Sequence, residues 1–393
     1  MANTFTADFV DVWSKEQQMV FYKTNVARKI ADTSPISQLK SGDVFNKPYR
    51  GALSAQIITR GNDMTIDALT DTIEYLSVDK QFGIAYEIHE FDDIQSAYDL
   101  AMNYGKDSGE TLSNMVDSYV LAEALNATST VTGGTLATTN LIGSLSGVKK
   151  ALKKLNVTSN NLYGVISPEF EDVVTQYVEA RETVLGDKVG ENGYIGMYMG
   201  IKFHVSNQLT STAVLSLATQ PTANDTVTIA GQVFTFVSSI GTTAGNVLIG
   251  ANVDATRASF ATLLNAPGTT TSTGVALTGT ALRTFQNTIT AVNSASADTL
   301  TVTARGIGVL DVSETLTDAT DTWTAASQLQ HNLFGVIGNP TLVIQREPKI
   351  VEVQKQLQLG KNYLNGVLFG VKTFVENAKQ MVDLTIRCDT YNA

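Results

Sequence analysis

Three histidines, His89, His204 and His331, a single cysteine, Cys388, and one basic run are the residues on which chemistry could be built in this chain. The histidines lie far apart, and none has a cysteine or a second histidine at the short spacing of a zinc site. They read as structural. His89 stands in "IHEFDD", a cluster of acids beside an imidazole that suits a divalent ion. The same residues suit a helix start, because Asp92 and Asp93 favour the positive end of a helix dipole, and that reading is preferred. Ser167 in "VISPEF" lacks the G-x-S-x-G elbow of an exposed nucleophile. With Pro168 after it, Ser167 reads as a helix N-cap followed by proline at the first helical position.

Gly193, Gly196 and Gly200 in "GYIGMYMG" lack the G-x-G-x-x-G order and run into a strand, so they read as tight turns. "RGIGVL" at Arg305 to Leu310 is equally weak, and no Walker-type phosphate loop is present. Cys388, in a strand-like terminus, is expected to pack there. In "KKALKK" the residues Lys149, Lys150, Lys153 and Lys154 flank Ala151 and Leu152, as on the solvated face of an amphipathic helix, with a specific anion contact as the alternative. No catalytic, cofactor-binding or metal-ligating residue is assigned on this basis, no cofactor is expected, and a structural role is favoured over an enzyme.

The 393 residues suffice for two or more domains with a substantial core. Hydrophobic residues make up 43% and charged ones 17%, a globular composition with much uncharged polar surface. With 27 Lys+Arg against 38 Asp+Glu, the formal net charge of -11 argues against holding nucleic acid by phosphate neutralisation. One cysteine forms no internal disulfide, which favours synthesis in the cytosol. The opening "MANTFTADFVDVWSKEQQMVFYK" lacks the basic segment and apolar core of a secretion signal. No apolar run approaches the length of a membrane span.

The elements that would position these residues follow from periodicity. Residues 1–42 read as an N-terminal arm ending in the polar loop "ADTSPISQLKSGD". Residues 43–82 read as an extended β loop turning at Gly61, Asn62 and Asp63. In "YLSVDKQFGIAYEI", Leu76, Val78, Phe82, Ile84, Tyr86 and Ile88 share one face of a period-two pattern. A long helix is expected over 92–126, capped by Asp92 and Gln95, with Ile94, Ala97, Ala101, Tyr104, Ser108, Leu112, Met115, Tyr119, Ala122 and Leu125 on its buried stripe. Gly105 and Gly109 on one side of it mark a bend or a close crossing. A glycine and threonine loop from Thr128 to Asn140 precedes an amphipathic helix in "SLSGVKKALKKLNV", then a strand and helix in "LYGVISPEFEDVVTQYV" and the strand "YMGIKFHVSNQL".

Lysine is then absent from Phe203 until Lys349. Inside that stretch "DTVTIAGQVFTFVSSI" reads as a hairpin at Ala230-Gly231, and "DATRASFATLLNA" as a helix with Ala258, Ala261, Leu263 and Leu264 near one side. "DTLTVTARGIG" reads as a strand. Residues 211–326 are therefore expected to form a small α+β insertion domain in a host that resumes at 327–393, insertions of this kind being tolerated at exposed loop tips.

The order of parts, with the strings "VISPEFEDVV", "GYIGMYMGIKFHVSNQL" and "GVLFGVKTFVENAKQMVDLTIRC", resembles the major capsid proteins of tailed bacteriophages, which have the Hong Kong 97 fold. The resemblance covers residues 1–210 and about 328–393. It includes an aromatic-glycine pair, here Phe369-Gly370, ahead of a closing β segment. It implies an α+β subunit with a peripheral domain at 83–139, built on the 92–126 spine helix, and an axial domain at 140–210. Such subunits tile an icosahedral shell as hexamers and pentamers around double-stranded DNA, without sequence-specific binding. Implied partners are further copies of the chain, a separate scaffolding protein, a portal and decoration proteins, with no membrane. The implied location is the virion, with assembly in the host cytoplasm. Some relatives crosslink a lysine to an asparagine, but no such pair is assigned here. The rival reading is a β-rich phage or cell-surface adhesion protein, suggested by the threonine-rich stretch and opposed by the long helix.

Overall fold

The computed structural model describes residues 21, 25–37, 39, 42–50, 55–58, 60, 71–89, 100–157, 161–180, 196–355 and 360–387. They fall into two compact units: the described residues up to Val116 with those of Gly338–Lys379, and those of Asp117–Ile337 with the described residues from Gln380 on. Architecture is mixed α and β throughout.

In the first unit, β1 (Val44–Arg50) and β2 (Asp71–Ser77) form an antiparallel two-stranded ribbon in register from Val44 opposite Ser77 to Arg50 opposite Asp71. The expected turn at Gly61 to Asp63 lies outside the described residues. A four-stranded sheet follows, in which β3 (Lys80–His89) pairs along one edge of β18 (Gly360–Lys372), while β16 (Thr341–Arg346) and β17 (Val351–Gln354) share the other. The alternation read in "QFGIAYEI" is present: Phe82, Ile84, Tyr86 and Ile88 turn inward, and Gln81, Gly83, Ala85 and Glu87 face solvent. The same face runs back through Val78 and Leu76, both buried with Asp79 exposed between the strands, although Val78 and Asp79 belong to neither the ribbon nor the sheet. Phe369 and Gly370 lie inside β18, ahead of the closing strand β19 (Met381–Arg387) as expected. A side chain on Gly370 would collide with the Ser77 carbonyl oxygen, so glycine permits the close approach of β2.

The long helix α1 spans Leu100–Ala122 and continues as a 3₁₀ turn over Glu123–Asn126. Its expected capping pair, Asp92 and Gln95, lies outside the described residues. The expected stripe needs correction. Ser108 and Leu112 are buried as expected and Met115, Tyr119 and Ala122 half-buried, but Tyr104 and Leu125 are exposed, and Gly105, Val116, Val120, Leu121 and Ala124 are buried instead. Two turns of α1 are covered on more than one side and bury Ser113 and Asp117 as well, which a one-face template cannot register. A Cβ on Gly105 would stand 3.3 Å from Ile350 Cδ1, so this glycine marks a close crossing.

In the second unit a nine-stranded sheet is organised on β15 (Leu329–Val336). One edge of β15 pairs along its length with β19 (Met381–Arg387), which pairs in parallel with β4 (Ser129–Gly134). The other edge forks. Leu329 to His331 pair with β8 (Thr210–Ser216), which leads to β13 (Thr299–Ala304) and β12 (Ile289–Ser294). Leu333 to Val336 pair with β5 (Leu162–Ile166), which leads to β7 (Ile201–Val205) and β6 (Met197–Tyr198). β4 lies in the stretch from Thr128 to Asn140 expected as a loop; "STVTGG" is too short and glycine-rich to announce a strand that tertiary pairing nevertheless recruits.

Each branch of the fork has its own core. Helices α2 (Leu141–Lys154) and α3 (Pro168–Glu179) bury Leu145, Val148, Leu152, Phe170, Val174 and Val178 in one cluster with Phe203, Phe334 and Leu384. Ser167 caps α3 as expected, accepting from the Phe170 N–H at 3.1 Å. On the other branch, Leu215, Phe234, Phe236, Phe260, Phe285, Leu300 and Trp323 form a second cluster. The segment 211–326 thus carries a separate core, yet its strands β8, β13 and β12 continue the sheet that β15 and β5 belong to. A smaller sheet completes it, with β9 (Thr226–Ile229), β10 (Gln232–Val237), β11 (Asn246–Leu248) and β14 (Val312–Thr315). The hairpin at Ala230-Gly231 is present, with both residues at positive φ, +48° and +76°, the geometry of a tight two-residue turn. Helix α4 (Val253–Asn265) buries Ala261, Leu263 and Leu264 as expected, together with Arg257 and Phe260, and only Ala258 of the expected face is exposed; α5 (Gly279–Thr288) had no expectation.

Candidate assembly surfaces

The β1–β2 ribbon is anchored at its base and bare on one face. Leu76 is fully buried in a cluster with Leu39, Val78, Val343 and Phe374, and Phe45 packs edge-on to Phe374 at 6.3 Å. Lys372 Nζ donates to the Tyr75 carbonyl at 2.7 Å, and the Val375 N–H donates to Glu74 Oε2 at 3.2 Å. The period-two alternation then turns Val44, Asn46, Pro48, Ile73 and Tyr75 to the opposite face. There Ile73 is 69% and Tyr75 60% exposed, and beyond the strand Ile57 is 97% exposed. Pro48 removes a ladder donor, which is tolerated because among the described residues β1 pairs with β2 alone. Covering a large apolar side chain fully stabilises by about 1.5–3 kcal/mol, and a lone ribbon is marginal in water, so covering this face would stabilise the ribbon.

No protein-family model matches the chain, and no curated protein matches it. Among solved structures, a chain from Mycobacterium phage Che8 aligns with TM-score 0.52 and 13% identity over 92% of this chain and 90% of that one. The two share a fold. A chain from Mycobacterium phage Ogopogo (TM-score 0.49, 10% identity, 91% and 92% covered) and the capsid structure of the cyanophage P-SCSP1u (TM-score 0.47, 11% identity, 91% and 86% covered) are also similar.

Within this fold the residues singled out for chemistry scatter. His89 ends β3 opposite Gly360, and His204 lies on β7 opposite Val165. Asp92, Asp93, Gly193 and Cys388 lie outside the described residues. Gly196, just before β6, and Gly200, in the β6–β7 turn, both have positive φ, and Gly200 is a turn residue as read. Among the described residues no group of three or more His, Cys, Asp or Glu is placed to hold a metal ion. Lys149 Nζ donates to the Met199 carbonyl at 2.8 Å, while Lys150, Lys153 and Lys154 face solvent.

What sequence reasoning missed is a polar seam at the fork of the sheet. His331 Nδ1 stands 2.7 Å from Asp383 Oδ2, and His331 Nε2 stands 3.0 Å from Thr212 Oγ1. Ser211 Oγ donates to the Ile307 and Gly308 carbonyls at 2.9 and 2.7 Å, and the Ser167 N–H donates to Asn332 Oδ1 at 3.1 Å. These residues come from strands far apart in sequence, so no spacing rule could assemble them. Thr212 is held mid-strand between Thr303 on β13 and Leu329 on β15, where the chain Asp383, His331, Thr212 stitches three strands together. Nearby, burial pushes the Tyr163 hydroxyl upward, and on α3 it raises the Glu171 carboxyl above the usual range.

Proposed function

We propose that this chain is the major capsid protein of a tailed double-stranded DNA bacteriophage, self-assembling as hexamers and pentamers into an icosahedral shell. The single observation that carries the reading is the β1–β2 ribbon, fixed at one end by Leu76 and Lys372 and presenting Val44, Ile73 and Tyr75 to solvent. A surface of that kind gains stability by lying on a sibling subunit, which couples its ordering to assembly. The fold shared with a phage chain supports the reading, as does the sequence resemblance.

On this reading residues 43–82 are the extended loop that reaches over a neighbour, 83–139 the peripheral domain, 140–210 the axial domain, and 327–393 the return through both. The 211–326 segment faces outward, as a Hong Kong 97-type shell with an insertion would place it. Scaffolding, portal and decoration proteins are its partners, the host cytoplasm its assembly site and the virion its destination. The net charge of -11 suits a shell that confines DNA by closure, since strong phosphate contacts would hinder packing and ejection. The seam at His331 is structural on this reading, and the chain is not an enzyme.

Negative-stain microscopy of the purified protein, with and without a scaffolding partner, tests the proposal. Closed shells, capsomer rings or sheets are expected from the unaltered chain. Ile73→Glu/Tyr75→Glu should abolish them while leaving circular dichroism unchanged, because both side chains are solvent-facing in the subunit. Monomers or trimeric fibres at high concentration would refute the reading in favour of an adhesion protein.

A further inference from the structure

Two helices of the second unit, α2 and α3, carry charge of one sign each. α2 carries Lys149, Lys150, Lys153 and Lys154 and no carboxylate, whereas α3 carries Glu169, Glu171, Asp172 and Glu179 and no base. Between Glu123 and Glu169 the sequence contains no Asp or Glu, in a chain that has 38 of them. Helix-dipole compensation accounts for Lys153 and Lys154 in the last turn of α2 and for Glu169 and Glu171 in the first turn of α3. It does not account for Glu179, which closes α3 at the end where the dipole disfavours a carboxylate, nor for Asp172.

Both charged faces are held rigidly, because the opposite faces of the two helices are buried in one hydrophobic cluster. Lys150, Lys153 and Lys154 are exposed on the side of α2 away from Leu145, Val148 and Leu152. Gly143, on that outward side, leaves open space for close approach. On α3, Glu169, Asp172, Gln176 and Glu179 follow one another at three-four-three spacing, away from Phe170, Val174 and Val178. Gln176 Nε2 donates to Asp172 Oδ2 at 2.8 Å, which aligns that stripe. Among the described residues, neither the three exposed lysines nor these carboxylates form an ion pair, and Glu169 Oε2 is buried with no hydrogen-bond partner.

We propose that the basic stripe of α2 in one copy of the chain docks against the acidic stripe of α3 in the next copy. The second copy is taken from the capsid reading, on which this inference rests. A phosphate polymer would satisfy α2, but it would be repelled by α3 and would leave the acidic stripe unexplained; a sibling subunit satisfies both with one repeated contact. Two different patches meeting in this way pass the contact from copy to copy until a ring closes. Electrostatic complementarity of this kind fixes register and speeds encounter more than it adds affinity, and it weakens as salt shortens the screening length from ~10 Å at 0.1 M to ~3 Å at 1 M.

Charge reversal tests it in the full-length chain. Lys150→Glu/Lys153→Glu makes both stripes acidic, and Asp172→Lys/Glu179→Lys makes both basic; all four side chains are solvent-facing, so folding is checked by circular dichroism and expected unchanged. Sedimentation velocity should show each variant alone needing about tenfold or more higher concentration to associate than the unaltered chain. An equimolar mixture of the two should recover association, as should the chain carrying all four changes. Variants that associate like the unaltered protein, or a mixture no better than its components, would overturn the contact. A lysine variant that fails in mixture but loses retention of random-sequence duplex DNA would overturn it in favour of a phosphate site. Charge-dependent association that never yields rings or shells would uphold the contact and overturn the capsid reading.

Discussion

Gly164 and Phe334 face each other across β5 and β15, and the packing there permits nothing larger than glycine. A Cβ built on Gly164 would fall 2.7 Å from Phe334 Cδ1 and closer still to Cε1, well inside van der Waals contact. The ring has little room to yield: Phe334 is fully buried, with Phe170 and Phe203 each at 6.4 Å between centroids. Gly164→Ala should therefore destabilise the second unit by about 1–3 kcal/mol through overpacking, against which a stiffer unfolded chain returns roughly 0.4–1 kcal/mol. Phe334→Ala alone should cost about 3–5 kcal/mol, as a large aromatic leaves a cavity. In the double variant the new methyl group enters vacated space, so Gly164→Ala should become neutral or stabilising, giving a coupling of about 1–3 kcal/mol. Urea denaturation of unassembled protein, followed by circular dichroism and by fluorescence of Trp323 in the same unit, measures all four corners of the cycle. If Gly164→Ala cost as much without the ring as with it, the clash would not be the cause and the reasoning would fail.

Arg257 is 1% exposed, donates to Asn293 Oδ1 at 3.1 Å and to the Leu217 carbonyl, and pairs with the half-exposed Asp298 at 3.0 Å; Arg257→Ala should destabilise the 211–326 segment by about 1–3 kcal/mol in the same urea assay, mainly by leaving the Leu217 carbonyl unpaired. Ser167→Ala removes the α3 cap and should cost about 1 kcal/mol, with Ser167→Gly costing only a few tenths, a difference thermal melts can rank. Tyr86 stacks on Tyr363 at 5.3 Å with a buried hydroxyl that has no partner among the described residues, so Tyr86→Phe should be neutral or stabilising by up to about 1 kcal/mol. Burial pushes that phenol up to about 12 from its ordinary value of 10. The folded state thus keeps a proton the unfolded chain loses, and the Tyr86 contribution to stability should fall as pH rises from 10 towards 12. A pH series comparing Tyr86→Phe with the unaltered chain isolates that slope.

Much was legible where a local rule acts alone. The Ser167-Pro168 cap, the inward face of β3, the Ala230-Gly231 hairpin and the amphipathic α2 each follow from a few neighbouring residues, because capping, pleat and turn geometry are settled within one or two turns of chain. The stripe of α1 was read off by about one position, since a helix covered on more than one side has no unique apolar face to reveal. Strand β4 escaped because its residues carry weak propensity and become a strand only by pairing with β19, some 250 residues later.

The sequence by itself determined the segments, their periodicities, the ribbon's alternation and the change of composition at the lysine-free stretch. Only the tertiary structure decided that β8 would join β15 and so carry that stretch on the same sheet as β5 and β19. It also decided that Thr212, His331 and Asp383 would meet in a polar seam, and that one basic and one acidic helix would rest on a common core. The physical reason is range: hydrogen-bonded caps and turns are closed by neighbours in the chain, whereas sheet pairing, seams and charge patterns are closed by residues that only the finished fold brings together.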